Sequence, residues 1–306
     1  MRRVAFIIAM VIAAPACWAD DRLDCIQDKD ADLEIKGCSA VIASGRVTPD
    51  ILAIAHSNRG NAYHTKGDLD RAVWDYTEAM GLNPRYTPAY AGRGYVLVLK
   101  GDCDRAIADF DKAIEVDSKD VGTLGSRGLC YYRKGNVDRA LVDLDRALAI
   151  QPDQVINLNN RGLARVASGD FDRGIADFDK AVAVNPEYAL AYAGRAWAYL
   201  RKGDAAQALK DADRSLQLHP DHAETIDVRG HILEALGRNE EAAADYRRAL
   251  AIEPKFADAR NSLQRLQNSS GTGRETTPRE DSGTKSLDCR NFVPAVGIIV
   301  PVPCNP

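Results

Sequence analysis

Three groups of residues in this chain could do chemistry by type and spacing. Seven cysteines, Cys17, Cys25, Cys38, Cys103, Cys130, Cys289 and Cys304, could pair or hold a metal. His219-Pro-Asp-His222 sets two imidazoles three residues apart, a weak metal-ligating spacing. Arg59, Arg93, Arg127, Arg161, Arg195 and Arg229 recur every 34 residues, and Asp75, Asp109, Asp143, Asp177, Asp211 and Asp245 keep the same interval. A column of guanidinium groups can bind an acidic ligand, or carboxylates of the chain itself can occupy it. No Gly-rich phosphate loop, metalloprotease motif or nucleophile elbow accompanies them. The two histidines lack a third ligand nearby in sequence, so they read as a solvated turn. The carboxylates follow the period rather than forming a catalytic pair. The expectation is a chain with no catalytic residue, no cofactor and no metal.

Composition narrows the class. Lys and Arg total 40 against 44 Asp and Glu, a net charge of −4 over 306 residues, with no concentrated basic run. That balance is wrong for a phosphate-backbone binder, so no nucleic-acid partner is expected. The long apolar run is Val4 to Ala16, 13 residues behind Arg2 and Arg3. A spanning helix needs about 20. A charged start, a short apolar middle and a small-residue end make residues 1–19 a secretory signal peptide, with cleavage after Ala19. Val4-Ala5 does not fit a twin-arginine signal. Ala14-Pro15-Ala16-Cys17 loosely resembles a lipobox, but Pro15 and the missing Leu disfavour lipid anchoring. The expected location is the periplasm or the medium, with no membrane span once the signal is removed. Six cysteines then remain, an even number in an oxidising compartment, and six allow fifteen pairings.

The elements that position these residues come from a 34-residue repeat. Gly60, Gly94, Gly128, Gly162, Ala196 and Gly230 fill repeat position 8. Gly67, Gly101, Gly135, Gly169, Gly203 and Gly237 fill position 15. Small residues recur at positions 20 and 27, and Pro84, Pro152, Pro186, Pro220 and Pro254 stand at position 32. Small side chains let two antiparallel helices approach. Gly just past a last turn ends the first helix, and Pro stops the second. Tyr76, Phe110, Phe178 and Tyr246 at position 24 fill the gaps. Six uninterrupted units span residues 53–256. This pattern resembles the tetratricopeptide repeat (TPR) family. The resemblance implies an all-α fold, a right-handed α-solenoid of TPR helix hairpins.

Family geometry then gives the special residues expected places. Positions 7 and 23, the Arg and Asp columns, lie at similar height in a helix pair, which predicts a structural ion ladder within repeats or between neighbours. Residues 20–52 read as a degenerate N-terminal hairpin or cap. Cys25 and Cys38 there are 13 apart, the gap between the facing positions 11 and 24, and a disulfide is expected between them. Cys103 and Cys130 lie in neighbouring units and are expected to bridge them, the alternative being two buried thiols. Residues 257–267 continue the register as a capping helix, 268–287 read as a flexible linker, and 288–306 as an apolar tail closed by Cys289–Cys304.

In the family, first helices line the concave face through positions 2, 5, 6, 9, 12 and 13. Applied here, the expected ligand groove contains Asn61, Tyr95, Leu99, Leu129, Tyr132, Asn159, Asn160, Leu163, Trp197 and Leu200. Arg201 joins them, and Glu224, Asp227, His231 and Glu234 make one end acidic. The carboxylate clamp of chaperone-binding TPR proteins is not matched. Asn61 fits it, but Ser57, Gly92, Gly122 and Ser126 stand where other clamp residues belong. The resemblance implies a non-enzymatic scaffold or adaptor that binds a peptide or another protein of the bacterial cell envelope. The alternatives are a regulatory or substrate-binding subunit of a cell-wall or sugar-modifying enzyme, and a scaffold whose own tail fills its groove.

Overall fold

Helices begin and end where the repeat columns put their punctuation. The computed structural model describes residues 23–26, 30–271, 290–291 and 300–301. The glycine at position 15 has positive φ in all six repeats, from 75° at Gly237 to 90° at Gly203, a region side chains with a Cβ avoid. One residue further on, the side chains of Asp68, Asp102, Asn136, Asp170 and Asp204 each accept a hydrogen bond from the backbone N–H three residues ahead, capping the second helix. Capping by this column is a signal the sequence reading did not use. In the sixth repeat the cap position is Arg238, which makes no side-chain cap bond. Replacing Asp204 by Ala should cost about 1 kcal/mol, read as a lower urea midpoint with an unchanged slope.

The chain divides into two compact units, residues 1–116 and 117–306. Among its described residues the first holds a helical turn at residues 23–26 and five helices: α1 (Ala31–Ala43), α2 (Pro49–Thr65), α3 (Leu69–Leu82), α4 (Thr87–Leu99) and α5 (Cys103–Val116). Consecutive helices pack together, and α2 also touches α4. Cys25 and Cys38 form a disulfide that ties the helical turn to α1. Closing so short a loop stabilises by about 3 kcal/mol. Asn58 of α2 donates from Nδ2 to the Cys25 carbonyl at 2.9 Å, so the stapled turn is anchored to the first repeat. Helix α2 starts at Pro49, four residues before the expected repeat boundary, because Thr48 caps it and Pro suits a first turn.

The second unit holds α6 (Val121–Arg133), α7 (Val137–Ile150), α8 (Val155–Ala167), α9 (Phe171–Val184), α10 (Ala189–Lys202), α11 (Ala205–Leu218), α12 (Ala223–Ala235), α13 (Asn239–Ile252) and α14 (Ala257–Gly271). Each helix packs on the next, and the first helices of successive repeats touch: α6 on α8, α8 on α10, α10 on α12. The fold class is all-α, a solenoid of helix hairpins. Helix α14 runs to Gly271, beyond the expected end at residue 267 and into the stretch read as linker. Two short strands, β1 (Arg290–Asn291) and β2 (Val300–Pro301), pair antiparallel. The signal segment, most of the linker and the Cys289–Cys304 pair lie outside the described residues.

Packing between units of the repeat follows a volume rule. Phe178 is fully buried between Gly162 of its own repeat and Gly194 of the next. A Cβ on Gly194 would lie 2.5 Å from the Phe178 ring, and one on Gly162 would lie 2.8 Å from it. Tyr76 meets Gly60 and Gly92 in the same way. Position 6 of the next repeat is small after an aromatic, Gly92 after Tyr76, Ser126 after Phe110 and Gly194 after Phe178, and larger after Leu144 and Ala212, where it is Asn160 and Val228. Volume removed from one helix is restored on its neighbour, as close packing requires.

Candidate functional site

The Arg and Asp columns are joined inside each repeat. Arg195 donates from Nε and Nη2 to the two oxygens of Asp211 at 2.7 Å each, and Arg59, Arg93, Arg127, Arg161 and Arg229 address Asp75, Asp109, Asp143, Asp177 and Asp245 in the same two-pronged way. All six aspartates are buried. The remaining Nη1 reaches back to the preceding repeat: to Thr77 from Arg93, Asp145 from Arg161, Asp179 from Arg195 and Asp213 from Arg229. One guanidinium therefore binds both within and between repeats. Hydrogen bonding to Asp211 and Asp245 raises the pKa of Arg195 and Arg229 despite burial, so both stay charged. In the fourth repeat Arg165 adds a second cation to Asp177, at 2.7 Å, which the sequence reading did not foresee. A column so occupied has little left for an external acid.

Cys103 and Cys130 are both buried, the first at the start of α5 in the first unit and the other on α6 in the second.

The expected groove residues divide by burial. Asn61 and Leu99 are exposed, Leu99 at 60%. Asn61 Oδ1 accepts from Tyr76 Oη at 2.7 Å. Tyr95, Leu129 and Trp197 are half-buried, with the Tyr95 ring 5.4 Å from that of Phe110. Tyr132, Asn160, Leu163 and Leu200 are buried and belong to the packing between repeats rather than to an open lining, and Asn159 is buried with its Oδ1 unpartnered among the described residues. Asn160 takes a position that is Gly or Ser after an aromatic wedge, and Leu163 and Leu200 sit in the apolar cores.

Polar groups left over by this packing gather on first helices of the second unit. Arg201 on α10 stacks on the Phe171 and Trp197 rings, at 5.6 and 5.7 Å, with no carboxylate partner among the described residues. Burial lowers its pKa. Among the described residues, Asn159 Oδ1 on α8 and Asp227 Oδ1 on α12 are buried without a hydrogen-bond partner. Both stand at repeat position 5. Around Asp227, Glu224, His231 and Glu234 share one face of α12 by their spacing. His231 Nε2 lies 3.5 Å from Asp227 Oδ2, a long and weak contact, while Tyr246 Oη lies 3.0 Å from Nδ1. Burial lowers the His231 pKa, but Asp227 and Glu234 outweigh it and the net shift is upward. Burial raises the Glu224 pKa, with Glu253 and Asp227 adding repulsion. Arg265 of α14 pairs with Glu234 at 2.7 Å. His222 caps α12, contacting Thr225 Oγ1 at 2.8 Å, and burial lowers its pKa. Among the described residues no three His, Cys, Asp or Glu are arranged to hold a metal ion.

Comparison with known proteins agrees with this architecture. Family profiles described as tetratricopeptide repeat match residues 53–86, 92–155, 128–198 and 195–267. The chain belongs to the tetratricopeptide repeat family, whose members are protein–protein interaction scaffolds. No curated protein matches it. Among solved structures it is similar to a tetratricopeptide repeat protein from Parabacteroides merdae, at 21% identity and TM-score 0.66, over 82% of this chain and 98% of that one. It is similar to PilW, a type IV pilus biogenesis factor, at 18% identity and TM-score 0.61, over 69% and 98%. YrrB, a TPR protein with an unusual peptide-binding site, is similar at 23% identity and TM-score 0.52, over 66% and 99%. Identities this low speak for the fold alone.

Proposed function

We propose that this chain is a non-enzymatic adaptor of the bacterial cell envelope, holding a peptide or protein against the faces of its first helices. The observation that carries the reading is a contrast in pairing. Among the described residues the cations of the Arg column are consumed by internal aspartates, whereas Arg201 stacks on aromatic rings with no carboxylate partner and Asn159 Oδ1 and Asp227 Oδ1 have no hydrogen-bond partner. Buried polar atoms are costly when unsatisfied, so leaving them on one set of helices suits a surface completed by a partner. YrrB, with its described peptide-binding site, is a precedent for peptide recognition on this fold. Export is supported by the signal-like segment at residues 1–19 and by the Cys25–Cys38 disulfide, since such bonds persist in oxidising compartments.

Photocrosslinking in intact cells tests this. A crosslinker at Leu99 or at Ile156, exposed residues at inward-facing family positions, should give a discrete envelope adduct. The same group at Val142, exposed on a second helix, should not. Equal adducts from all three sites, or none from any, contradicts the reading. Thiol alkylation at harvest should leave Cys25 and Cys38 unlabelled, and labelling of both would argue against export.

A further inference from the structure

We infer that the last repeat carries a site for a cationic side chain, the guanidinium or ammonium of a basic residue, seated on Asp227. The inference rests on the scaffold reading above and names the chemistry its partner brings. Among the described residues, Asp227 is 2% exposed, its Oδ1 has no hydrogen-bond partner, and its Oδ2 has only the long contact to His231. A buried carboxylate with an empty oxygen is strongly destabilising unless a donor arrives. The surroundings fix the sign of that donor. Glu224, Asp227 and Glu234 give three carboxylates, set against Arg265 and the imidazole of His231. His222, 3.2 Å from Glu224, has its pKa lowered and adds little positive charge. An anion is repelled there, and the residues do not form a metal cluster, so an organic cation with N–H donors fits best.

The local walls suit such a group. Tyr246 is held protonated by burial, so its hydroxyl can donate to His231 Nδ1 and leave Nε2–H facing Asp227. That arrangement occupies Oδ2 and keeps Oδ1 for a ligand. The Trp197 ring stands 6.5 Å from that of His231 and can cover the alkyl stem of a Lys or Arg. Asn159 Oδ1, at the same repeat position two units earlier, is a second empty acceptor for a donor further along an extended segment.

The test is a titration of the full chain with n-butylguanidinium chloride, followed through the indole N–H signals of Trp197 and Trp74. The expected result is a saturable shift at Trp197 and none at Trp74. Sodium chloride at equal ionic strength and sodium butyrate should give no saturable shift. Asp227→Asn keeps the shape, should weaken binding at least tenfold, and should melt no lower than the parent because it removes a buried charge whose Oδ1 no described group satisfies. The same shift with sodium chloride, or unchanged binding in Asp227→Asn, overturns the site. An Arg290→Gln arm separates sources of the cation. Tighter probe binding in that variant assigns the natural occupant to the chain's own tail, and unchanged binding assigns it to another protein. Failure here is distinguishable from failure of the scaffold reading. Specific adducts from Ile156 with no titration refute the cation site alone, and a sound titration without adducts refutes the scaffold role.

Discussion

Gly194→Val should destabilise the second unit by about 2 kcal/mol, because its Cβ would enter the Phe178 ring at 2.5 Å. The ring cannot retreat, since Gly162 closes the other side and Phe178 is wholly buried. Phe178→Ala alone should cost about 3–5 kcal/mol by leaving a cavity. The double variant should cost less than the sum, with a coupling of about 1–3 kcal/mol, because it recreates the Ala212–Val228 arrangement that the chain already uses one repeat later. Unfolding midpoints by circular dichroism give all three values. Strict additivity would mean that volume is not exchanged between these positions.

Arg195→Leu should cost about 3–5 kcal/mol, since it strands the buried Asp211 and also releases Asp179 of the preceding repeat. Arg161→Leu should cost distinctly less. Asp177 keeps the Arg165 guanidinium at 2.7 Å, so its charge stays compensated. Removing both members in Arg195→Leu/Asp211→Leu should recover most of the loss, because an apolar pair avoids the desolvation of two ions. The ordering Arg195→Leu, then Arg161→Leu, then the double variant, from most to least damaging, can be read from urea midpoints. Equal losses for the two single variants would remove Arg165 from the account.

Much of the fold was legible because the repeat expresses helix punctuation in residue types. Gly203 needs positive φ, Pro186 stops a helix, and Gly162 admits a ring, and each constraint recurs 34 residues away. The Arg–Asp pairing was legible for the same reason, although not the third donor that links repeats. The groove was read less well. Asn159 and Asn160 look like peptide-binding amides in sequence, but they are buried. Position 6 is Gly or Ser after a ring and Asn after Leu144, a trade between side chains 16 residues apart that no local pattern displays. The boundary of α2 shifted because Thr48-Pro49 starts the helix early, and α14 continues past Gln267 through Asn268-Ser-Ser-Gly271, residues whose low helix propensity gives no sign of continuation. Asp227 and Arg201 were visible as charges at inward positions. Which atoms are left without partners depends on the packing of three helices and could not be read from a line of residues.

The central claim is that the periodic charges hold the repeats together while the leftover charges of the second unit recognise a partner. Crosslinking yield from Ile156, measured beside the urea midpoint in Arg195→Leu/Asp211→Leu and in Asp227→Asn, tests it most directly. The account predicts that the rung-free variant keeps its adduct, and that Asp227→Asn keeps its midpoint while losing most of the adduct. Loss of the adduct with the rung removed in a folded chain, and its retention in Asp227→Asn, would contradict the assignment.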